Sequence, residues 1–172
     1  MTAPIIILDN VDLKFPKLKG ILSAIKDKLT GKTTSFTALK NVNLEINSGE
    51  VFGLIGKNGS GKSTILRVIS GIYPPDEGQC KVSGSISLLA GLGTGFSGHQ
   101  TGVENALLYG SILGHNEHEM REMLPEIIQF SELGDFIDEP IRTYSAGMKA
   151  RLGLAVATAI KPDILLIDEV LG

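Results

Sequence analysis

Apolar and polar positions alternate over two stretches near the start of the chain. Residues 5–8 are apolar, and the pattern continues through LDNVDLKF at residues 8–15. A second alternating stretch, LKNVNLEI, occupies residues 39–46. A period of two is typical of a strand with one buried face, so we predict a β-strand over each stretch. The polar residues Asn47, Ser48 and Gly49 then predict a turn.

A short apolar run, VFGLIG at residues 51–56, comes next and is typical of a buried strand. The pattern from Lys62 to Ser70 predicts a helix, which Gly71 and the proline pair at residues 74–75 would end. Residues 79–90 favour a return to strand. The predicted order here is strand, glycine-rich loop, helix, strand.

Helical periodicity dominates residues 103–160, and we predict joints at Gly114, Gly134 and Pro140. The last helix, over residues 148–160, places four apolar side chains on one face: Leu152, Ala155, Val156 and Ala159. A lysine and a proline at residues 161–162 end it. A final apolar run, residues 164–167, predicts a buried strand that leads into two carboxylates.

The composition indicates a globular protein. The chain has 172 residues, 42% of them hydrophobic, which is enough for a sizeable core. A single cysteine, Cys80, excludes a disulfide framework, and no apolar run reaches the roughly 18 residues of a membrane span. The N-terminus lacks the basic leader of a signal peptide. We expect a cytosolic location and no nucleic-acid partner.

The net charge of −3 conceals a basic segment at residues 14–40, which holds seven lysines and one acid, Asp27. That segment carries +6, which leaves −9 for the rest of the chain. Within it, residues 21–29 show helical spacing of isoleucine and leucine, which favours a short amphipathic helix. One interpretation is a surface helix docked by its apolar face. The other is a basic loop that meets anionic lipid or the phosphates of a lipid-linked glycan.

The segment GKNGSGKST, residues 56–64, fits the pattern G-x-x-x-x-G-K-[ST] between a predicted strand and a predicted helix. We call it the phosphate loop, because such loops turn backbone N–H groups toward phosphate oxygens. In this interpretation Lys62 contacts the β- and γ-phosphates and Ser63 binds Mg²⁺. A glycine turn with a surface lysine is the simpler alternative. The candidate ATP-binding residues are Gly56, Lys57, Asn58, Gly59, Ser60, Gly61, Lys62, Ser63 and Thr64.

The acidic pair after the last predicted strand suggests a metal site and a general base. Asp168 fits the acid that holds Mg²⁺ through water, and Glu169 fits the base that polarises the attacking water. A core strand that ends in two solvated acids is the alternative. The phosphate loop favours the catalytic interpretation, since both features serve one reaction.

The segment YSAGMKARLGLAVATAIKPDILLIDE, residues 144–169, resembles the signature region of ATP-binding cassette (ABC) ATPases. The usual signature is LSGGQ, and YSAGM departs from it at the first, third and fifth positions. The resemblance implies that Ser145, Ala146 and Gly147 contact the γ-phosphate of a nucleotide bound to an opposite subunit. Two chains would then sandwich two ATP molecules head to tail. On a purely structural interpretation, Ser145 is the N-cap of a core helix.

The resemblance extends over nearly the whole chain and is closest to exporters of polysaccharides, O-antigens and teichoic acids. The basic segment before FTALKNVNLEI and the glycine-rich GLGTGFSGHQTG support this subgroup. It implies an α/β fold, with a P-loop NTPase (RecA-like) core, an antiparallel β subdomain and a helical signature subdomain at about 97–150. We expect one nucleotide-binding domain over 1–172, incomplete at the C-terminus and truncated after the strand that leads into Asp168, which corresponds to the Walker B strand of the family.

Two positions depart from the family pattern. The usual glutamine after the third strand is replaced by a run from Leu88 to Gly91, and Gln100 lies well downstream. The aromatic residue that stacks on adenine is Phe15 in our preferred assignment and Phe36 in the alternative. The segment GHNEHEM, residues 114–120, has a spacing compatible with metal binding, but we interpret it as a solvated helix start.

The resemblance implies an ATPase subunit of an ABC exporter that moves a lipid-linked polysaccharide or teichoic acid across the cytoplasmic membrane. Its cofactors would be ATP and Mg²⁺. Its partners would be a second copy of the chain, an integral membrane permease and, through the basic segment, the lipid-linked glycan. It would lie on the cytoplasmic face of the membrane. The alternatives are a small P-loop kinase and a non-catalytic nucleotide-binding module. We expect the 172-residue chain to hydrolyse ATP negligibly on its own.

Overall fold

A computed structural model of the chain describes residues 3–16, 35–90 and 95–168. The chain forms two compact units, Met1–Ser83 and Gly84–Gly172, which we call the first and second units. The predicted amphipathic helix at residues 21–29 and the predicted base Glu169 lie outside the described residues.

The first unit contains a three-stranded antiparallel sheet. Its strands are β1 (Pro4–Pro16), β2 (Ser35–Asn47) and β3 (Glu77–Val82), in the order β2-β1-β3. The two strands predicted from alternation are therefore confirmed as β1 and β2. Apolar residues face each other across this pair, with Leu8 opposite Leu44 and Leu13 opposite Leu39. The predicted turn after β2 is also present, and Gly49 takes a φ of 77° there.

Strand β1 bends where its register with both neighbours shifts. The shift lies between Leu8 and Val11 on the β2 side, and Asn10 at this point takes a φ of 50°. Gly78 of β3 passes so close to the bend that a Cβ there would overlap the carbonyl oxygens of Asp9 and Asn10. A glycine is therefore required for β3 to pair with the bent strand.

Helix α1 (Lys62–Ile69) follows the phosphate loop, as the pattern predicted. The prediction of a buried strand at residues 51–56 is wrong: the structure has no strand there. Val51 and Ile55 are 100% and 99% exposed. None of the described strands pairs with this segment. A strand depends on a neighbour for its backbone hydrogen bonds and for contacts to its side chains. The hydrophobicity of residues 51–56 was therefore not sufficient to predict a strand.

The second unit contains a parallel pair of strands, β4 (Ile86–Ala90) and β5 (Ile164–Asp168). The prediction of a single strand over residues 79–90 needs correction, because β3 and β4 belong to different sheets. Residues 83–85 separate them, with Gly84 at a φ of 114°. The predicted final strand is confirmed as β5.

Three α-helices of the second unit lie between these strands in sequence: α2 (Gly102–Ile112), α3 (Glu117–Ser131) and α4 (Ala146–Ala159). Two short 3₁₀ helices, Gly134–Asp138 and Ile141–Thr143, connect α3 to α4. The predicted apolar face of α4 is confirmed, because all four of its residues are buried in the core of this unit. That core also includes Leu89 of β4 and Met120 and Ile127 of α3.

Helix α3 begins with a capping box, which explains two of the polar residues in the GHNEHEM segment. Asn116 accepts from the Glu119 N–H, and the Glu119 carboxylate accepts from the Asn116 N–H. His115 lies 3.3 Å from the same carboxylate. Among the described residues, no group of three or more potential metal ligands comes together. Over those residues, too, no helix has the length and apolar character needed to cross a membrane.

Candidate functional site

The phosphate loop of the first unit is solvent-exposed through its turn. Gly59 and Gly61 take φ values of 78° and 95°, which glycine adopts without steric cost. The Ser60 N–H donates to the Lys57 carbonyl oxygen at 3.1 Å and closes the turn. A Cβ on Gly56 would lie 2.7 Å from Ser60 Oγ, so the two ends of the turn pack closely.

The ammonium group of Lys62 lies among the carbonyl groups of this loop. Its Nζ donates to the carbonyl oxygens of Gly56 at 2.8 Å and Lys57 at 3.0 Å. An ammonium has three N–H donors, so these two bonds leave a third for another acceptor. A phosphate bound in the loop would replace these carbonyl oxygens as the acceptor for Lys62, and it would carry a full negative charge.

The N-terminus of α1 has the features of an anion site. Gly61 is its N-cap residue, and no side chain of the described residues caps this end. The first N–H groups of any helix lack intrahelical acceptors, and the helix dipole places partial positive charge there. The intrahelical bonds begin with Ile65 N–H to the Gly61 carbonyl oxygen at 2.9 Å. The exposed loop therefore ends at a helix N-terminus, where the first N–H groups and partial positive charge favour the binding of phosphate.

The two candidates for adenine stacking lie opposite each other, Phe15 on β1 and Phe36 on β2. The Phe15 ring is half-buried and meets the Tyr73 ring edge-on, with centroids 5.3 Å apart. The Arg67 guanidinium lies 6.0 Å from the centroid of the same tyrosine. Phe36 is 54% exposed. The assignment of Phe15 to adenine stays a prediction, and Phe36 is the more accessible of the two rings.

Asp168 is the last residue of β5 and lies beside Ala90 of β4. At the opposite end of the pair, Asp163 holds the two strands in register. Its Oδ2 accepts from the Ser85 N–H and from the Ser85 hydroxyl, each at 2.8 Å. The Asp163 N–H in turn donates to Ser85 Oγ at 3.1 Å. These bonds from Ser85 stabilise the carboxylate and hold the pKa of Asp163 below its ordinary value.

Ser145 begins helix α4 and caps it. Its Oγ accepts from the Met148 N–H at 3.2 Å, which confirms the structural interpretation of this serine. A hydroxyl has one donor and two acceptor positions, so its proton stays available to an external oxygen. Ser145, Ala146 and Gly147 are all exposed. The helix start therefore offers a hydroxyl and the N–H groups of its first residues to the outside.

The chain before Ser145 is tied to the glycine-rich loop by backbone hydrogen bonds. The N–H of Ile141 donates to the Gln100 carbonyl oxygen at 2.9 Å, and the N–H of Arg142 donates to that of Gly98 at 3.1 Å. Asn105 is fully buried beneath this loop. Its side chain accepts from the Ser97 N–H at 2.7 Å. Its amide donates to loop carbonyls at residues 97, 100 and 101.

The predicted site residues thus fall into two groups. The nine residues of the phosphate loop and Phe15 belong to the first unit, and Asp168 with the Ser145 segment belongs to the second. The sequence patterns did not identify Tyr73, Asn105 or the Asp163–Ser85 pair. Of these residues, only Asn105 is marked by its local sequence, because it is an amide among the apolar residues of α2. The ring contact of Tyr73 with Phe15 and the bonds of Asp163 to Ser85 join residues that are far apart in sequence.

The chain was compared with known protein families. The model for the ABC transporter family matches residues 39–172. The chain belongs to the ABC transporter family. The matched residues include the phosphate loop, the Ser145 segment and Asp168, so the resemblance predicted from motifs is confirmed.

Several ABC transporter relatives are named for polysaccharide or teichoic acid export. An O-antigen export system ATP-binding protein from Myxococcus xanthus is 49% identical over 97% of this chain and 41% of its own length. A teichoic acids export ATP-binding protein from Enterococcus faecalis is 44% identical over 92% of this chain and 34% of its own length. An O-antigen export system ATP-binding protein from Yersinia enterocolitica is 40% identical over 97% of this chain and 75% of its own length. The chain thus spans less than half of the first two relatives.

Solved ABC structures share the fold. A dimeric ATP-binding cassette in a post-hydrolysis state, bound to ADP and Pi, superposes with a TM-score of 0.73 at 25% identity. The superposition covers 96% of this chain and 74% of that one. A nucleotide-free cassette superposes with a TM-score of 0.70 at 22% identity over 99% of this chain and 70% of that one. The chain therefore has the P-loop NTPase fold of ABC cassettes, with its antiparallel sheet and helical part.

Proposed function

We propose that the protein is the ATP-binding and ATP-hydrolysing subunit of an ABC exporter for a lipid-linked polysaccharide or a teichoic acid. The observation that carries the ATPase proposal is the phosphate loop, which leads into a helix N-terminus without a side-chain cap and holds Lys62 among its carbonyls. The names of the relatives support the cargo class.

In this proposal the first unit holds the triphosphate. The N–H groups of the loop and the start of α1 bind the phosphate oxygens, and Lys62 contacts the β- and γ-phosphates. Ser63 and Asp168 are the candidate Mg²⁺ residues, and a hydroxyl with a carboxylate suits this oxygen-seeking ion. When bound, Mg²⁺ neutralises charge on the β- and γ-phosphates. Glu169 would accept a proton from the attacking water.

The second half of each site would come from a second copy of the chain. Ser145 can donate its hydroxyl proton while it still caps α4, and Ala146 and Gly147 add exposed backbone at the same helix start. In a head-to-tail dimer this surface would contact the γ-phosphate held by the partner's phosphate loop. The dimeric ABC cassette in the post-hydrolysis state supports such an arrangement.

The remaining partners are an integral membrane permease and the glycan. The protein would lie peripherally on the cytoplasmic face of the membrane, where ATP is available. The basic segment would meet the glycan or the lipid phosphates through the lysines beyond β1. Lys14 contributes less, because its Nζ pairs with Glu77 at 2.8 Å.

Phosphate release from the full-length protein tests this function. We expect steady hydrolysis of ATP without any acceptor, and Glu169→Gln should bind ATP while it slows turnover by about 10² to 10⁴. Turnover that requires an added acceptor would indicate a kinase instead. Binding without turnover would indicate a nucleotide-binding module. Turnover in Glu169→Gln within a few-fold of wild type would remove Glu169 from the mechanism.

A further inference from the structure

The residue directly before Ser145 has an anchor that the ABC signature pattern does not predict. Tyr144 is 5% exposed, and its hydroxyl donates to the carbonyl oxygen of Phe136 in the first of the two 3₁₀ helices. Its backbone N–H also donates to the Ile141 carbonyl oxygen at 3.0 Å. The side chain and the main chain of this one residue therefore both fix the approach to α4.

The space for this tyrosine depends on Gly102, the first residue of α2. A Cβ on Gly102 would lie 2.7 Å from the Ile137 carbonyl oxygen and closer still to the Tyr144 hydroxyl. Gly102 has no positive φ in the structure, so the constraint here is space and not backbone conformation. The absent side chain of residue 102 is what lets the tyrosine reach Phe136.

Tyr144 anchors the chain at the exposed N-terminal end of helix α4. Helix α4 is locked in the core through its apolar face, but Ser145 to Gly147 are exposed and have no such packing. Their position is set from one side by α4 and from the other by Tyr144. A hydroxyl that must meet a phosphate oxygen at hydrogen-bond distance tolerates little displacement.

We propose that Tyr144 is a positioning residue that places Ser145 for contact with the partner's nucleotide, and that Gly102 makes this placement possible. The proposal rests on the function proposed above, because it needs Ser145 to act on ATP. The pKa of Tyr144 is raised, mainly because the residue is buried and also because Asp138 and Glu139 are close. The hydroxyl therefore keeps its proton, and with it the bond to Phe136, throughout the neutral range.

The test is Tyr144→Phe in the full-length protein, with Tyr109→Phe as the matched control. Tyr109 is also buried in the second unit, where its ring packs edge-on against Phe96 with centroids 5.5 Å apart. Both substitutions remove one hydroxyl from the same core. We expect Tyr144→Phe to lower kcat about tenfold with little change in KM, since the phosphate loop that binds ATP is unaltered. Tyr109→Phe should leave both constants unchanged.

A second variant, Gly102→Ala, tests the same fit from the side of α2. Gly102→Ala should displace the tyrosine and lower kcat further, and the double variant Gly102→Ala with Tyr144→Phe should lose less than the product of the two single effects. Equal loss of kcat in the two phenylalanine variants, or a loss in Tyr144→Phe confined to KM, would overturn the positioning role.

Failure of the proposed function gives a different result. If Ser145→Asp leaves hydrolysis unchanged, the serine surface does not act on ATP, and the function assigned to it fails. If Ser145→Asp abolishes hydrolysis while Tyr144→Phe has the kcat of wild type, only the role of Tyr144 fails.

Discussion

The two helix starts proposed to contact ATP are built in opposite ways. Helix α1 begins at Gly61, which has no side chain to cap it and takes a φ of 95°. Helix α4 begins at Ser145, whose hydroxyl caps it internally. An uncapped end keeps its N–H groups for a ligand, whereas a capped end has satisfied one donor already. In the proposed function, α1 would therefore be the primary phosphate site, and α4 would add contacts to a nucleotide already bound.

The residues around the two helix starts also differ, in charge. The start of α1 brings its own cation, because the Lys62 ammonium is bonded to the loop carbonyls at 2.8 and 3.0 Å. The start of α4 has Lys149 one turn along, and its immediate residues are a tyrosine, a serine, an alanine and a glycine. Binding affinity should therefore depend on α1, and turnover should depend on both.

The largest effect is expected from Lys62→Ala. Loss of its charged hydrogen bonds to phosphate should weaken ATP binding by roughly 3 kcal/mol, or about two orders of magnitude in Kd. Calorimetry with Lys81→Ala as the control would measure this, because Lys81 is an exposed lysine on β3 of the same unit. Unchanged ATP binding in Lys62→Ala would refute the phosphate-loop assignment.

Ser145→Asp separates capping from contact with phosphate. Aspartate is as good an N-cap as serine, so the thermal stability of the protein should be retained. Its negative charge would face the γ-phosphate, so kcat should fall by about two orders of magnitude while ATP binding to the phosphate loop persists. Ser145→Thr, which keeps both the cap and the hydroxyl, is the matched control. Normal turnover in Ser145→Asp would limit this serine to its structural role.

A smaller effect is expected from the cap alone. Ser145→Ala should destabilise the protein by about 1 kcal/mol, because the Met148 N–H loses its acceptor. No comparable substitution exists at α1, since Gly61 contributes no side-chain cap. Denaturant unfolding of the variant measures the change, and a destabilisation below about 0.3 kcal/mol would show that the cap contributes little.

The smallest effect concerns pH and the bonds between Asp163 and Ser85, which we call the strand clamp, at the end of the β4–β5 pair opposite Asp168. The folded pKa of Asp163 is lowered, so its contribution to stability is present above the unfolded value of about 4 and is lost as pH falls through the folded pKa. Thermal unfolding followed from pH 7 to pH 3 should show a shallower decline in Asp163→Asn than in wild type. Asp135→Asn, at an exposed acid of the same unit, is the control. Identical pH profiles for wild type and Asp163→Asn would contradict the clamp.

Local patterns predicted the elements whose partners lie close by or whose faces repeat regularly. Alternation identified β1 and β2, which pair with each other, and helical periodicity identified the buried face of α4. Glycine spacing likewise predicted the phosphate loop and the helix after it. In each case a single periodicity or a single motif is enough to predict the element.

The patterns failed where structure depends on distant residues. The apolar run at residues 51–56 resembles a buried strand, but no described strand lies beside it. Ser85 and Asp163 are 78 residues apart, so neither one locally indicates the clamp. The fit of Tyr144 against Gly102 depends in the same way on residues from separate segments that meet only in the folded chain.

In the proposed function, each ATP site joins the phosphate loop of one chain to the Ser145 surface of another. Phosphate release from mixed full-length variants tests it most directly. Lys62→Ala and Ser145→Asp should each be inactive alone, but an equimolar mixture should recover roughly a quarter of wild-type activity, because half of the dimers are mixed and each keeps one intact site. No recovery in a mixture shown to contain mixed dimers would contradict the account, since it would place both halves of the site in one chain.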